Sequence, residues 1–279
     1  VGGSIEDATG REEGPIYCFE HAVARIEAAV AAARGLPYPF TLTARAENFL
    51  HGNPDLADTI RRLQAFAEAG WQVQFFGQKT YNGVALVSRS PLCDVVHNIP
   101  GMDCDMARVI SATASAPDGQ PLRVVCAYVP NGQAPGTDKF AYKLRWLQAL
   151  RNWLQQELQK TPHLLLMGDF NITFDDADVW DPVGLRETIH CTAAEREQLQ
   201  ALVQLGLADS LRLFDPPPKS YTWWDYRAMA FRRNRGLRID HVLVSEALRP
   251  LVRGCHIDKG PRANERPSDH VPVVLTLDA

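Results

Sequence analysis

Long hydrophobic runs are missing from this sequence. No apolar stretch approaches the roughly 20 residues that a helix needs to cross a bilayer, although hydrophobic residues make up 46% of the chain. The beginning of the chain also lacks the basic start and apolar core of an export signal. These absences argue against a membrane role and predict a cytoplasmic protein. A first residue of valine rather than methionine predicts a processed, truncated or joined coding region.

Paired cysteines and a general excess of positive charge are missing as well. The cysteines show no spacing typical of a zinc site or a disulfide framework, which predicts reduced thiols. The formal net charge of -4 gives no general attraction to nucleic acid, so binding to a polyanion must depend on a local basic patch. The cysteines are Cys18, Cys93, Cys104, Cys126, Cys191 and Cys255.

One short segment provides such a patch. Several arginines lie close together in a stretch without acids, and aromatic residues precede them. Fixed cations and flat rings are suited to holding phosphates and a sugar or base, whereas the simpler interpretation is a solvated surface loop. The segment contains Trp223, Trp224, Tyr226, Arg227, Arg232, Arg233, Arg235 and Arg238.

The order of the predicted elements is that of an α/β protein. Apolar residues at helical spacing predict four helices, and short runs of β-branched and apolar residues bounded by turn residues predict strands. The helices are predicted over residues 19–34, 54–66, 138–160 and 193–205. The strands are predicted over residues 1–5, 39–49, 72–76, 83–88, 163–167, 238–244 and 271–277, with a hairpin over 108–128.

Polar residues stand where three of the apolar strands end or begin. Asp169 and Asn171 follow one run, Asp240 interrupts a second, and the pair Asp269 and His270 precedes the last. Carboxylate oxygens suit a hard divalent cation, and a histidine beside an aspartate suits proton transfer. Together they predict metal-assisted attack on a phosphodiester. Turn capping by Asp and Asn, and a structural histidine, are the alternatives.

The spacing of these residues predicts their division of labour. In an extended geometry, Asp169 would orient or deprotonate water while the Asn171 amide donates to a phosphoryl oxygen. Neighbouring strand residues point to opposite faces, so Asp269 is expected to face a metal. His270 is expected to face the phosphate, as a general base or an electrostatic contact, with Asp240 fixing its tautomer.

A further strand ends at Tyr128, and the loop of residues 129–132 follows it. Proline and glycine shape a rigid loop that would present the Tyr128 phenol and the Asn131 amide to a phosphate. The same residues also form ordinary turns, so this signal is weak by itself.

The motifs taken together resemble the exonuclease III branch of the endonuclease/exonuclease/phosphatase superfamily, in order from about residue 71 to the end of the chain. The motifs lie at residues 77–79, 83–86, 128–132, 168–171, 223–227, 234–240 and 268–270. The resemblance implies a four-layered α/β sandwich and dependence on Mg²⁺ or Mn²⁺. It also implies a monomer that acts on double-stranded DNA, as a 3′ to 5′ exonuclease and at abasic sites.

The resemblance also implies roles for single residues. Tyr128 and Asn131 would contact the phosphate, while Asp169 would activate water or protonate the leaving oxygen, with Asn171 as its amide partner. The other implied roles are an acid–histidine dyad (Asp240, His270), a metal ligand (Asp269), a DNA-backbone contact (Arg108) and part of a pocket for the base-free sugar (Trp223). Arg227 and Arg235 of the basic segment are candidate substrate contacts.

The first 70 residues depart from this pattern, because the family's Trp-Asn-Val-Asn and Gln-Glu-Thr motifs are absent. Residues 2–7, 17–34 and 42–49 instead resemble a fragment of the isocitrate lyase/phosphoenolpyruvate mutase superfamily. We therefore expect a foreign βαβα segment over residues 1–70, joined near residue 70 to a nuclease domain over residues 71–279. Its strands are suited to fill the vacant places in the sheet, which would put Glu47 near the position of the missing metal ligand.

This departure leaves two other functions open. One is an inactive or weakened DNA-binding chimera, which keeps the basic segment but lacks a competent cation site. The other is an oxoacid carbon–carbon lyase carried by the first 70 residues, although so short a segment cannot close an eight-stranded barrel.

Overall fold

The fold is given by a computed structural model, which describes residues 2–6, 17–34, 41–45, 72–78, 82–263 and 267–278. The predicted helix over residues 54–66, the predicted junction near residue 70 and Glu47 lie outside the described residues. In chain order the strands and helices are β1 (Gly2–Glu6), α1 (Phe19–Arg34), β2 (Thr41–Arg45), β3 (Gln72–Gly77), β4 (Gly83–Ser88), β5 (Cys93–His97), β6 (Val109–Ser115), β7 (Pro121–Tyr128), α2 (Asp138–Lys160), β8 (Leu164–Asp169), α3 (Ala193–Val203), β9 (Leu207–Asp209), β10 (Asp240–Ser245), β11 (Val252–Ile257) and β12 (Val273–Leu277).

The larger sheet has the strand order β5-β6-β7-β8-β10-β9. Its central pair, β7 and β8, is parallel, because α2 returns the chain to the same end of the sheet before β8 begins. The other pairings in this sheet are antiparallel. As a result, the end of β7, the end of β8 and the beginning of β10 meet at one edge.

Apolar side chains on α2 form the core on one face of this sheet. The helix begins after Thr137, whose side chain accepts a hydrogen bond from the Phe140 amide. Its buried residues Trp146, Leu150 and Leu154 belong to the same cluster as residues of β8. The other face of the sheet packs against apolar residues of β4 and β12, which gives a mixed α/β sandwich.

The strands of the first 70 residues lie inside the second layer of β-structure. β1 and β2 pair in parallel, and their neighbours are β12 on one side and β4 on the other. β3 pairs with β4 and β11 with β12, both antiparallel. The segment that departs from the expected motifs therefore completes this layer. No helix among the described residues has the length and apolar character that spanning a membrane requires.

His241 is a buried histidine held in its neutral form. Its Nε2 atom lies 2.8 Å from the Ile172 carbonyl oxygen, and its ring packs edge-on against Phe170 and Phe174. The Nδ1 atom has no hydrogen-bond partner among the described residues. Burial, reinforced by the nearby Arg238 cation, lowers the pKa of His241 to about 4.

We expect this histidine to make the fold sensitive to acid. Its pKa is below the value of about 6.5 in an unfolded chain, so the unfolded state binds the extra proton first as the pH falls. Above about pH 6.5 His241 is neutral in both the folded and the unfolded state, and the fold has its full stability. Between about pH 6.5 and about pH 4.5 the free energy of unfolding should decrease by about 2 to 3 kcal/mol. Denaturant titrations at several pH values would measure this, and His241→Gln should show a smaller decrease. Identical pH dependence in both proteins would contradict it.

Candidate active site

Strand ends bring the predicted site residues together at one edge of the larger sheet. Asp169 is paired with Tyr128 across the parallel β7–β8 ladder and with Asp240 across the antiparallel β8–β10 ladder. The Thr222 hydroxyl accepts a hydrogen bond from the Asp240 backbone amide at 3.1 Å. Backbone pairing between Trp223 and His270 places the last of the three sequence motifs beside Asp240. The convergence expected from the sequence is therefore present.

Asp240 and His270 form a close ion pair. The Nδ1 atom of His270 lies 2.9 and 3.0 Å from the two carboxylate oxygens of Asp240. Burial lowers the pKa of His270, but the charge and hydrogen bond of Asp240, assisted by Asp169 and Asp269, outweigh burial and raise it to about 9. The imidazole is therefore a cation at neutral pH.

The carboxyl group of Asp169 titrates near neutrality. Burial and repulsion by Asp240 raise its pKa to about 7, against the opposing effects of His270, the Asn171 amide and Lys143. Its Oδ1 atom accepts the Asn171 backbone amide at 2.8 Å, and its Oδ2 atom accepts the Asn171 side-chain amide at 3.0 Å. A carboxyl group that titrates near neutrality can both accept and release a proton under ordinary conditions.

The backbone around this carboxylate differs from the extended geometry expected from the sequence. Asn171 has a φ of 51°, because the chain turns sharply after Asp169 and the Asn171 side chain folds back onto it. Gly168 lies within β8, and a Cβ atom there would be 2.0 Å from the Ala127 carbonyl oxygen, so glycine is required by the close approach of β7.

Asp169 and Asp240 offer carboxylate oxygens to a candidate cation site beside His270, since one ligand atom from each of the three residues lies within 4.8 Å of the others. The repulsion that raises the Asp169 pKa indicates an excess of negative charge, which a cation would relieve. Carboxylate oxygens are the donors that Mg²⁺ and Mn²⁺ prefer, so the residues present fit such an ion. Asp269, the predicted ligand, accepts a hydrogen bond from Trp223 Nε1 at 2.9 Å. Glu47 lies outside the described residues.

Arg108, Tyr128 and Asn131 border the same edge. The Arg108 guanidinium lies 4.9 Å from the centre of the Tyr128 ring and donates to the Tyr128 carbonyl oxygen at 3.3 Å. Asn131 is exposed, and its side-chain amide donates to Asn171 Oδ1 at 3.3 Å. Asn131, one of the predicted phosphate contacts, is therefore joined to the Asp169 loop by a direct hydrogen bond.

The aromatic and basic segment divides into an exposed part and a buried part. Trp223 packs against a small cluster that includes Leu237 and Ile239. Arg227 and Arg235 are exposed, and Arg235 lies 4.7 Å above the Trp180 ring. Including Arg238 in the patch was wrong. Arg238 is 2% exposed and pairs at 2.7 Å with each of two buried acids, Asp178 and Asp209. Both acids are distant from it in the sequence, and no motif connects them with it.

Three residues behind the site were missed in the sequence. Lys143 and Glu195 form a buried ion pair, and His190 Nδ1 lies 2.6 Å from the Asn171 carbonyl oxygen. Burial and the Lys143 charge lower the pKa of His190 to about 4, so the ring is neutral and donates from Nδ1. The sequence contains one signal that could have identified Lys143. This lysine lies on the otherwise apolar stripe of α2, at helical spacing from Phe140.

Comparison with known proteins identifies the sequence family of this arrangement. A profile described as "Endonuclease/Exonuclease/phosphatase family" matches residues 21–270. An exodeoxyribonuclease III from Haemophilus influenzae is 35% identical over 227 residues, which cover 78% of this chain and 85% of that protein.

Solved structures match the fold over the whole chain. A 3′ phosphatase (NExo) from Neisseria bound to a product DNA hairpin has a TM-score of 0.82 and 36% identity, covering 100% of this chain and 99% of its own. An AP endonuclease from Archaeoglobus fulgidus has a TM-score of 0.79 and 25% identity, with the same coverage. Neither these matches nor the profile sets residues 1–70 apart, so a foreign segment there is not supported.

Proposed function

Because the chain belongs to the endonuclease/exonuclease/phosphatase family, we propose that it is a divalent-metal-dependent DNA phosphodiesterase of DNA repair, which acts as a 3′ to 5′ exodeoxyribonuclease and as an endonuclease at abasic sites. The observation that carries the proposal is the convergence of Asp169, Asp240 and His270 at one sheet edge. The relatives named exodeoxyribonuclease III and AP endonuclease support both activities. The proposal includes a monomer in the cytoplasm whose substrate is double-stranded DNA with an abasic site or a 3′ end.

The proposed cation is Mg²⁺ or Mn²⁺, held by Asp169 and Asp240 with Asp269 close by and Glu47 as a further ligand. When bound, such a cation neutralises phosphate charge and makes water more acidic. Asp169 and Asp240 are proposed as ligands because their carboxylates repel each other, as the raised pKa of Asp169 indicates. Glu47 is proposed because it follows the end of β2 by two residues.

The protein's own residues supply the proton transfers and the phosphate contacts in this mechanism. Asp169 accepts a proton from the attacking water as the new P–O bond forms, because its pKa near 7 leaves it largely ionised at slightly alkaline pH. The protonated carboxyl group then returns this proton to the leaving oxygen as the scissile P–O bond breaks. His270 holds a phosphate oxygen as a cation, donating from Nε2 while Nδ1 remains bonded to Asp240. The electrostatic role, one of the two expected for His270, is favoured by its raised pKa. Asn171 orients the Asp169 carboxylate through its amide.

The DNA contacts are proposed for the surrounding side chains. Tyr128 and Asn131 bind the phosphate at the site of cleavage, and Arg108 supports Tyr128 while facing the backbone of the duplex. Exposed Arg227 and Arg235 bind neighbouring phosphates, and together they give the local positive charge that a chain of net charge -4 needs. Trp223 forms one wall of the pocket for the base-free sugar.

We expect the purified protein to nick a duplex that carries one abasic site when Mg²⁺ is present, and to stop when a chelator removes the ion. Addition of Mn²⁺ after the chelator should restore cleavage. An intact duplex of the same sequence is the control for incision, and a duplex with a recessed 3′ end tests stepwise shortening. Chelator-resistant nicking would contradict the role of the cation, while binding without nicking would favour the inactive DNA-binding chimera.

The origin of residues 1–70 in the isocitrate lyase/phosphoenolpyruvate mutase superfamily, and hence the boundary between two domains near residue 70, stays a prediction. Sequencing the source DNA across codons 60–80 would reveal whether the reading frame is continuous there.

A further inference from the structure

A charged pair without solvent contact lies directly behind the candidate active site. Lys143 on α2 and Glu195 on α3 are both 0% exposed, and the lysine Nζ atom contacts the Glu195 Oε1 atom. Removing two charges from water is costly, and apolar residues of similar size often replace such a pair without loss of stability. The pair therefore calls for an explanation other than stability.

The remaining hydrogen bonds of Lys143 connect two active-site loops. Its ammonium group donates to the carbonyl oxygen of Asn131 at 3.1 Å and to that of Asn171 at 2.8 Å. Asn131 follows β7 and Asn171 follows β8, and their side chains are joined by the hydrogen bond of 3.3 Å. A single ammonium group thus fixes the backbone of both residues relative to each other.

Both loops contain a residue in the left-handed region of backbone conformation. Asn171 has a φ of 51°, a conformation that asparagine enters more readily than most residues with a side chain, and the bond from Lys143 to its carbonyl oxygen helps to hold it there. Gly132 has a φ of 89°, and a Cβ atom there would lie 2.9 Å from Lys143 Cδ. The lysine stem therefore packs against one loop while its ammonium group holds both.

Glu195 fixes the direction of the ammonium group. Its carboxylate accepts hydrogen bonds from the amide and hydroxyl of Thr192 at 3.2 and 2.8 Å and from the His190 amide at 3.2 Å. These contacts form the capping box at the beginning of α3. The carboxylate is held by the end of a helix and, through that helix, by the core.

We propose that Lys143 and Glu195 are positioning residues for phosphodiester cleavage. They hold Asn131 and Asn171, and through Asn171 the carboxylate of Asp169, in the geometry of reaction without touching the DNA. This inference rests on the proposed function. It predicts that replacing the pair lowers kcat by more than the accompanying loss of folding stability can explain.

The test compares two double variants in the abasic-site assay with Mg²⁺. Lys143→Met with Glu195→Gln removes both charges together, so neither is left buried alone, but the bonds to the two loop carbonyls are lost. We expect kcat to decrease about 10- to 100-fold, since a displacement of about 1 Å can have that effect. KM should change less than about threefold, because the exposed Arg227 and Arg235, which bind neighbouring phosphates in the proposed mechanism, are intact.

The matched control uses another buried pair of α2. Arg123 Nε and Glu157 Oε2 lie 2.9 Å apart, with side chains 5% and 9% exposed, and the hydrogen bonds and ion pairs of this pair go to other described residues than those of the two loops. Arg123→Met with Glu157→Gln should lower the temperature of unfolding but leave kcat within about threefold of wild type. The contrast between the two variants separates positioning from general destabilisation.

Three results would decide the matter. Wild-type kcat in the first double variant, or an equal decrease in kcat in the control variant, would overturn the positioning role while the proposed function stands. Absence of nicking by the wild-type protein would contradict both the proposed function and the positioning role. If the first double variant does not fold, Glu195→Gln alone serves, since the single glutamine oxygen can still accept from the Thr192 amide or from the His190 amide, though not from both. An unchanged kcat in that variant would equally overturn the proposal.

Discussion

Asp169→Asn is expected to lower the rate of nicking by about 10²- to 10⁴-fold, the usual contribution of a positioned acid or base. The substituted amide keeps the shape of the side chain but cannot accept a proton from water. In the wild-type protein the Asn171 side-chain amide donates to Asp169 Oδ2 at 3.0 Å. In the variant, the new NH₂ group would face this donor or turn away from it, so the hydrogen bond is lost. DNA affinity should be unchanged or stronger, because one negative charge beside the phosphate is removed.

Single-turnover nicking with the protein in excess would measure the chemical step, and fluorescence anisotropy in chelator would measure DNA binding. Asp103→Asn is a suitable control, because Asp103 is an exposed acid outside the site. A wild-type rate in Asp169→Asn would exclude Asp169 as the proton-transfer group. An equal loss of binding and rate would instead place the defect in the folded structure.

The convergence of Asp169 with Asp240 was predictable because it depends on where strands end. The apolar run before Gly168 and the run that includes Val242 to Val244 are both buried, so their lengths fix the strand ends. Likewise α2 was predicted over its full length, since Thr137 caps it and its apolar stripe is regular. Local sequence contains this information directly.

The finer geometry of the site was not predictable, because tertiary contacts determine it. The left-handed backbone of Asn171 depends on donors from Lys143 and His190, which come from two distant parts of the chain. Nothing in the motif that contains Asn171 distinguishes this conformation from an extended one. The role of Arg238 was mistaken for the same reason, since its acidic partners are contributed by other elements.

The strands missed in the sequence have a different cause. β5 is exposed or half-buried along its whole length, and β11 is similar apart from Val252. Neither has the regular alternation or continuous apolar run that predicts a strand, so pairing with β6 and with β12 determines their structure. These two border strands are therefore harder to predict from the sequence than the buried central strands of the larger sheet.

Asp240→Asn is expected to move the whole pH profile of kcat/KM to lower pH. In the wild-type protein the rate should rise through about pH 7, as Asp169 ionises, and fall through about pH 9, as His270 loses its proton. The Asp240 charge raises the first pKa by repulsion and the second by attraction, so its removal lowers both. The alkaline limb should move further, because the hydrogen bond to His270 is weakened as well.

The size of the effect follows from the usual pKa of histidine. If the pKa of His270 returns to about 6.5, only about 3% of it is protonated at pH 8, and the rate there should be about thirtyfold below wild type. At about pH 6 this loss should disappear, because His270 is still mostly protonated there and the lowered pKa of Asp169 leaves more of that carboxylate ionised. The alkaline limb is decisive, since Asp169 also belongs to the proposed cation site. His270→Gln should be slow without any alkaline limb near pH 9. An Asp240→Asn protein that keeps this limb would show that another group sets the charge of His270, and the dyad would lose its role.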